Sequence, residues 1–462
     1  MSDLTKAFAA IQAKQISYGT LWDYYGGTQP LRYSTERLTE IFHDISAHFA
    51  QNWCGVVVDS VLDRLVLSDI QVTGDETATA RLGELWSQLE LGLEADDIHQ
   101  GTLVTGEGVV IAWKENDEIQ AFYNDARNIY IEYDPSNPRQ MLWAAKRWID
   151  EDGRYRMVLY YPDRLEYYCS SSKAENVTSG AGMFPLDPPI APNPFGLVPV
   201  FHYRRERRDI KSEFDSAIPV QDAINKLFAD MMVAAEFGAF KQRYVISQAD
   251  PGNLKNAPNM NWWIPSGDGV GQQTSVGEFS AADLSIYMNA MDKLSASIAI
   301  ITRTPKHYLF TQGGDPSGEA LNAMEAPLIK KTKRYIARFI PTWQGLASFL
   351  LALDGRSVPP ESIEPIYDDP ETVQPKSTAD IRKIEVETGI PLLTVLRDEG
   401  WTQEQLDQMQ EDKSAEQSSN TAGLAQALLN SQRNFDQGGG VPMMTNTGIG
   451  TTVIPEQPEI GG

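Results

Sequence analysis

The chain has 462 residues and carries 39 Lys and Arg against 63 Asp and Glu, a formal net charge of −24 at pH 7. Hydrophobic residues make up 42% and aromatic residues 10%, which excludes a wholly disordered chain and suits roughly three domain-sized units. The acidic balance speaks against a sequence-specific DNA-binding domain, which is usually basic, and leaves room for a protein that lets nucleic acid pass without gripping it.

Two cysteines, Cys54 and Cys169, cannot form a disulfide framework or a four-thiolate zinc site, which fits a reducing compartment. The N-terminal stretch MSDLTKAFAAIQAKQ lacks the apolar core of a signal peptide, and no unbroken run of 18 apolar residues marks a membrane span. The terminal PEIGG matches no lipidation signal, so no membrane partner is expected.

In chain order, residues 3–17 have helical spacing and end before a turn at Tyr24-Tyr25-Gly26-Gly27. Helical spacing returns over 35–50, with Leu38, Ile41, Phe42, Ile45 and Phe49 on one face. The apolar run NWCGVVVDSVLDRL (52–65) predicts a buried segment with Cys54 as a small hydrophobe, and 76–90 and 94–105 predict two more helices. From 107 to 170 the pattern changes to Val, Ile, Tyr and Trp with turn signals, predicting five or six antiparallel strands. Residues 171–199 are expected to be a long loop, because FPLDPPIAPNPFGLVP holds six prolines in 16 residues.

A strongly helical block follows. Residues 218–240 predict a helix of about 34 Å, with Val220, Ile224, Leu227, Met231 and Ala235 in one stripe. Residues 241–279 read as irregular and include the pair Trp262-Trp263. Residues 281–302 predict a second long helix with a seam of Leu284, Tyr287, Met291, Leu294, Ile298 and Ile301, capped by Ser280 and Asp283. After a loop over 303–316, a third long helix runs from Ser317 towards Leu353 with kinks expected at Pro327 and Pro341. Two or three short helices fill 377–412, and the polar, Gly-rich residues 413–462 read as disordered. No internal repeat of 20–50 residues is present. The fold class expected is α+β.

Catalytic motifs are missing. Gly101 and Gly106 have the spacing of a phosphate-binding loop, but Glu107 stands where the lysine belongs, and no G-x-G-x-x-G, H-E-x-x-H or G-x-S-x-G occurs. Asp96, Asp97 and His99 read better as a solvated first helical turn than as metal ligands, and His43 and His48 are five apart, a poor spacing for one face. No metal, cofactor or catalytic pair is assigned.

Two basic clusters interrupt the acidic chain. Arg204, Arg205, Arg207, Arg208 and Lys211 follow the Pro-rich stretch and read as a solvated linker or as partners of acidic neighbours. The second is Lys330, Lys331, Lys333, Arg334 and Arg338, in which Lys330, Arg334 and Arg338 share one helical stripe. Between 303 and 338 seven basic residues face three acidic ones, a local 7 − 3 = +4, and nucleic-acid contact and pairing with a neighbouring subunit remain equally open. From 354 to 462 the balance is 7 − 19 = −12, which suits an exposed, soluble region.

Several stretches, in order over residues 20–350, carry a family resemblance: YYGG, NWCGVVVDSVLDRL, NPFGLVPVFHYRRERR leading into IPVQDAINKLFADMMVAAEFGAFKQRYV, and TPKHYLFTQGGDPSGEALNAMEAPLIKKTKRYI. The chain resembles the portal proteins, or head–tail connectors, of tailed double-stranded-DNA bacteriophages, in the siphophage branch. The resemblance implies a non-enzymatic ring of about twelve subunits at one capsid vertex of the virion, assembled in the host cytoplasm around a DNA channel. It implies as partners double-stranded DNA without sequence specificity, the terminase large subunit, the major capsid and scaffolding proteins and a head-completion or adaptor protein.

It also names parts. Residues 1–215 resemble the wing, 216–240 and 280–302 the paired stem helices, 241–279 the clip, and 303–316 the tunnel loop. Residues 317–369 resemble the kinked helix and return to the wing, and 370–412 the crown. On that basis Lys306, His307, Tyr308, Gln312, Gly313, Gly314 and Asp315 face DNA, with Lys306 the first phosphate contact and Gln312 the second. Ile224, Leu227, Met231, Leu284, Met291, Leu294 and Ile298 pack the stem, Trp262 and Trp263 dock partners at the clip, and Lys330, Lys331, Arg334 and Arg338 touch DNA or a neighbour. The alternatives are a non-viral oligomeric scaffold without catalytic activity and a hydrolase hidden in the 107–170 strands.

Overall fold

The computed structural model describes residues 2–32, 51–239, 243–246, 275–279, 283–309, 318–371, 382–398 and 405–414. It divides into two compact units, 1–371 and 372–462. The expected helix over 35–50, His43, His48, Trp262, Trp263, the 312–315 segment, the cap residues Ser280 and Ser377 and nearly all of the 413–462 tail lie outside the described residues.

In the first unit, helix α1 (Asp3–Gly26) starts where the Ser2 hydroxyl accepts the Thr5 N–H and stops at Gly27, whose φ of 71° only glycine adopts freely. It runs nine residues past the expected end because nothing before the glycine pair breaks it. Ala7, Phe8 and Ile11 pack on Trp143, Ala145, Met157 and Leu159. Helix α2 (Trp53–Leu62) is capped by Asn52 and buries Cys54, Val57, Val58 and Val61, as the apolar run predicts. Strand β1 (Leu67–Val72) was not expected in a region read as helical; its pairing partner lies nearly 300 residues away. Helices α3 (Glu76–Gln88) and α4 (Leu91–Thr105) complete the N-terminal part.

Six strands follow, where the Val, Ile, Tyr and Trp content and turn signals predict five or six: β2 (Glu107–Glu115), β3 (Glu118–Asn124), β4 (Ile129–Tyr133), β5 (Met141–Ile149), β6 (Arg154–Tyr160) and β7 (Arg164–Lys173). The expectation of an irregular 171–199 is corrected. Strand β8 (Met183–Pro192) closes a five-stranded antiparallel sheet of order β4-β5-β6-β7-β8, and β9 (Val200–Arg204) joins a three-stranded sheet of order β3-β2-β9. The prolines are tolerated because β8 is an edge strand, where N–H groups on the outer side have no partner to lose.

Helices α5 (Ile218–Ala239) and α6 (Ser285–Thr302) pack against each other. Between them, the ends of the segment read as irregular pair as β10 (Arg243–Ile246) and β11 (Ser275–Glu278), with Val245 opposite Val276. Ile224 and Ile298 are fully buried and Met291 nearly so, while Leu227, Met231 and Leu294 are half-buried against the same core and Leu284 is half-buried. Helix α6 begins at Ser285 and not at 281, so Asp283 lies just ahead of the helix, where it accepts the Ser285 N–H at 2.9 Å, and not inside the first turn as the expected cap requires. A single helical turn, α7 (Lys306–Leu309), precedes α8 (Gly318–Leu353), and β12 (Ile363–Tyr367) returns to pair with β1.

Helix α8 organises the main core. Leu328, Thr332, Tyr335, Phe339, Trp343, Leu346 and Leu350 recur at spacings of three and four and are all buried. It has the length and hydropathy of a membrane span, which a search for unbroken apolar runs does not flag, but these residues face the protein interior. Pro327 and Pro341 lie inside a continuous helix. Each deprives the residue four before it, Ala323 or Ala337, of a hydrogen-bond donor, and both alanines are exposed, where water can substitute. In the second unit, 382–387, α9 (Leu392–Asp398) and 405–414 are helical, with Gly389 at φ 101° ending the first and Pro391 preceding the next.

Candidate functional site

The expected DNA-facing loop starts at the C-terminus of α6. There Arg303 turns left-handed at φ 58°, and the Thr304 N–H bonds back to Ala299 O at 3.0 Å. The Thr302 hydroxyl reaches Ile298 O at 2.7 Å and Thr304 Oγ1 at 2.9 Å. The first part of the loop is therefore ordered, and Lys306, His307 and Tyr308 sit on the helical turn α7 instead of an irregular loop, anchored by the buried Leu309. Lys306 is exposed. Tyr308 and His307 turn towards their own chain, around Glu325 on α8: the Tyr308 hydroxyl donates to Glu325 Oε1 at 3.4 Å, and His307 Nε2 lies 3.6 Å from it. Arg64, from the end of α2, donates to Tyr308 Oη at 3.1 Å and to Glu325 Oε2 at 3.0 Å. Gln312, Gly313, Gly314 and Asp315 are outside the described residues.

A second ionic cluster sits two turns along α8. Lys331 Nζ lies 2.8 Å from Glu213 Oε1 and donates to Thr302 O at 2.7 Å, tying the end of α6 to α8. The other Glu213 oxygen takes the Tyr335 hydroxyl at 2.5 Å and Arg205 Nη1 at 3.2 Å. Lys331 is 3% exposed, and burial pulls its ammonium below the usual lysine range against the pull of Glu213. The expectation that Lys331 touches DNA or a neighbouring subunit is thus corrected: its charge is spent inside its own subunit, because its position is offset from the stripe of Lys330, Arg334 and Arg338, all exposed. Arg338 also donates to Arg205 O, and Lys333 pairs with Glu371 at 2.6 Å.

Sequence reasoning missed Arg64, Glu213 and Glu325. Nothing local distinguishes these residues from other charges; they matter because α2, the 205–213 segment, α6 and α8 converge. His99 is also corrected. It is 1% exposed, stacked on Phe339 at 5.3 Å and 12°, and bonded to Tyr367 Oη at 3.1 Å, whereas Asp96 and Asp97 are exposed. His99 is enclosed by the core while Asp96 and Asp97 stay exposed, and Asp96 and Asp97 lie beyond the first turn of α4. Among the described residues no group of three or more His, Cys, Asp or Glu could hold a metal ion.

Residues 12–419 match the family described as "Phage portal protein, SPP1 Gp6-like". The chain belongs to that family. It is 24% identical over 351 residues to the portal protein of Mycobacterium phage L5, covering 70% of this chain and 69% of the relative. It is 23% identical over 349 residues to the portal protein of Mycobacterium phage D29, covering 70% of each. Phage portal proteins are structural, non-catalytic parts of the virion capsid. The mixed helix and sheet content agrees with an α+β portal subunit, and the buried ionic clusters are joints between its elements. Family membership also sets aside the non-viral scaffold and the hidden hydrolase.

Proposed function

We propose that the chain assembles head to tail into a ring of about twelve subunits at one capsid vertex. The ring conducts double-stranded DNA during packaging and ejection. It also serves as the docking platform for the terminase large subunit and then a head-completion adaptor, within a shell of capsid and scaffolding proteins. The observation that carries this reading is the family match over residues 12–419.

Two features support it. Helix α6 leaves Ile286 and Ile300 67% exposed and Ile301 48% exposed, an apolar face that a neighbouring subunit would cover. The net charge of −24 keeps a channel from holding DNA fast, because each phosphate neutralised by Lys or Arg adds salt-dependent affinity that a ring would multiply.

In this reading residues 1–215 with the later part of α8 form the wing, α5 and α6 the stem, and the β10–β11 ladder with residues 247–274 the clip. Residues 303–316 form the tunnel loop that faces the DNA, and 370–412 forms the crown. Lys306 and Gln312 meet phosphates; His307 and Tyr308 hold the base of the loop through Glu325. Lys330, Arg334 and Arg338 meet either DNA or the next subunit, and Trp262 and Trp263 serve docking.

Native mass spectrometry with negative-stain imaging of the purified chain tests the assembly. Rings with a central hole are expected; a monomer that stays a monomer on co-expression with its capsid and scaffolding proteins would overturn the reading. Replacing Gly313 and Gly314 by proline should leave rings intact and impair packaging, since two glycines let the loop adjust to passing phosphates. Full-length packaging by that variant would remove the loop's assigned role.

A further inference from the structure

A basic cavity of about 660 Å³ opens between α1, β4 and the segment after β9. Lys14, Arg139, Arg204, Arg207 and Arg208 line it, and Glu107 is its only acid. Glu107 does not serve the arginines. It is 1% exposed and already accepts from Lys14, from the Tyr18 hydroxyl at 2.8 Å and from His202 Nε2 at 2.8 Å. His202 adds no charge near neutral pH, because burial holds its imidazole below the usual range despite Glu107. The lining therefore carries 5 − 1 = +4 in a chain of −24. Arg139, Arg207 and Arg208 have no ion-pair partner among the described residues, and Arg204 spends its guanidinium on the Tyr133 ring at 4.7 Å and on Arg207 O at 3.3 Å.

The walls choose among anions. Ile131, Pro138 and Ile210 are apolar, so the ligand should carry carboxylates beside aliphatic groups. The Tyr133 ring lies between Arg204 and the stacked imidazole of His202 and is not free to stack a nucleobase, and the Tyr130 ring in the same lining packs on Trp143 at 5.3 Å and 53°. The same unit carries a surface of the matching kind. Asp59, Asp63, Asp96 and Asp97, on α2, just after it and on α4, are exposed, and none forms a salt bridge among the described residues. Their carboxylates crowd one another: Asp96 is raised above the usual range by burial and then by Asp97 and Asp63. Leu93, on α4 beside them, is 73% exposed and supplies the aliphatic group.

We infer that the basic cavity receives the Asp59, Asp63, Asp96 and Asp97 surface of a second copy of this chain, so that each subunit offers the cavity to one neighbour and the acidic surface to the other. Two different patches repeated around an axis are what a closed ring requires. The inference rests on the ring reading above and deepens it.

The test is a charge swap in the full chain, read by native mass spectrometry over a concentration series, with thermal melts to compare folding. Arg207→Glu with Arg208→Glu, or Asp96→Arg with Asp97→Arg, should raise the concentration at half-assembly by about tenfold or more. All four substitutions together should return it towards the parent value, which a folding defect could not do. If the parent forms rings and either reversal leaves them unchanged, or the fourfold swap fails to restore them, the inference falls while the ring reading stands. If the parent forms no rings even on co-expression with its capsid and scaffolding proteins, both fall. Duplex DNA binding by the parent that the Arg207 and Arg208 reversal abolishes would assign the cavity to phosphate and overturn the inference.

Discussion

His99 shows what burial does to a single titratable side chain. Its imidazole, enclosed by Phe339, Trp343 and Tyr367, is held down to about 3 from an ordinary 6.5. The unfolded chain takes a proton below pH 6.5 that the folded chain refuses. Stability is therefore complete above pH 6.5 and falls as the pH drops towards 3, by roughly 1.4 kcal/mol per pH unit in that window. His99→Phe should remove this part of the slope in urea titrations between pH 6.5 and 4; parallel slopes for parent and variant would refute the assignment. Lys331 and Glu213 make a sharper pair. Glu213 neutralises the buried Lys331 and the half-buried Arg205, which also pairs with Glu206 at 3.4 Å, whereas Lys331 answers one acid. Glu213→Gln should then cost about 3–5 kcal/mol, and Lys331→Met less, since Glu213 keeps Arg205 and Tyr335. Equal losses by urea denaturation would show that the pair does not act this way.

At the scale of elements, pattern predicts type better than it predicts partners. The Val, Ile, Tyr and Trp content with turn signals over 107–170 and the apolar stripe of α5 are local properties, and the strands and the helix form where those patterns lie. Strand β8 defeats the same reasoning because proline's penalty depends on which side of a strand has a neighbour, and only the assembled sheet makes β8 an edge. Gly106 shows a third dependence. It ends α4 at φ 92°, and a Cβ there would lie 2.6 Å from the Lys211 backbone, while its carbonyl accepts the Arg205 N–H at 3.0 Å. Gly106→Ala should cost about 1–3 kcal/mol and speed amide exchange at Arg205 and Glu213, which bond to Gly106 O and Leu103 O. Unchanged exchange at those two amides would mean that the 205–213 segment is held by its ion pairs alone.

At the scale of the whole chain, the first unit owns a complete core. β1 and β12 pair across nearly 300 residues, and α8 packs between the N-terminal helices and the three-stranded sheet, so residues 1–371 close on themselves. A chain ending at Glu371 should retain the parent's main calorimetric transition within about 2–4 °C, the shift that a loss of 1 kcal/mol produces in a domain of this order. A collapse of that transition would show that the second unit completes the core. The charge of −24 also belongs to this scale. Half of it, −12, lies in residues 354–462, and the basic cavity, like residues 303–338, is a local excess of positive charge in an acidic chain.

The sequence by itself determined the family, the α+β class and the long helices, because motif order and hydrophobic period are carried by neighbouring residues. It also placed the two basic clusters, but not their fates. Whether Lys331 faces a neighbour or Glu213, whether His99 is a ligand or a core residue, and whether Arg207 and Arg208 line a linker or a cavity were decided only when α1, β9, α6 and α8 met. Charge is written locally, but desolvation and pairing depend on what the fold brings within about 4 Å, and no local pattern encodes that distance.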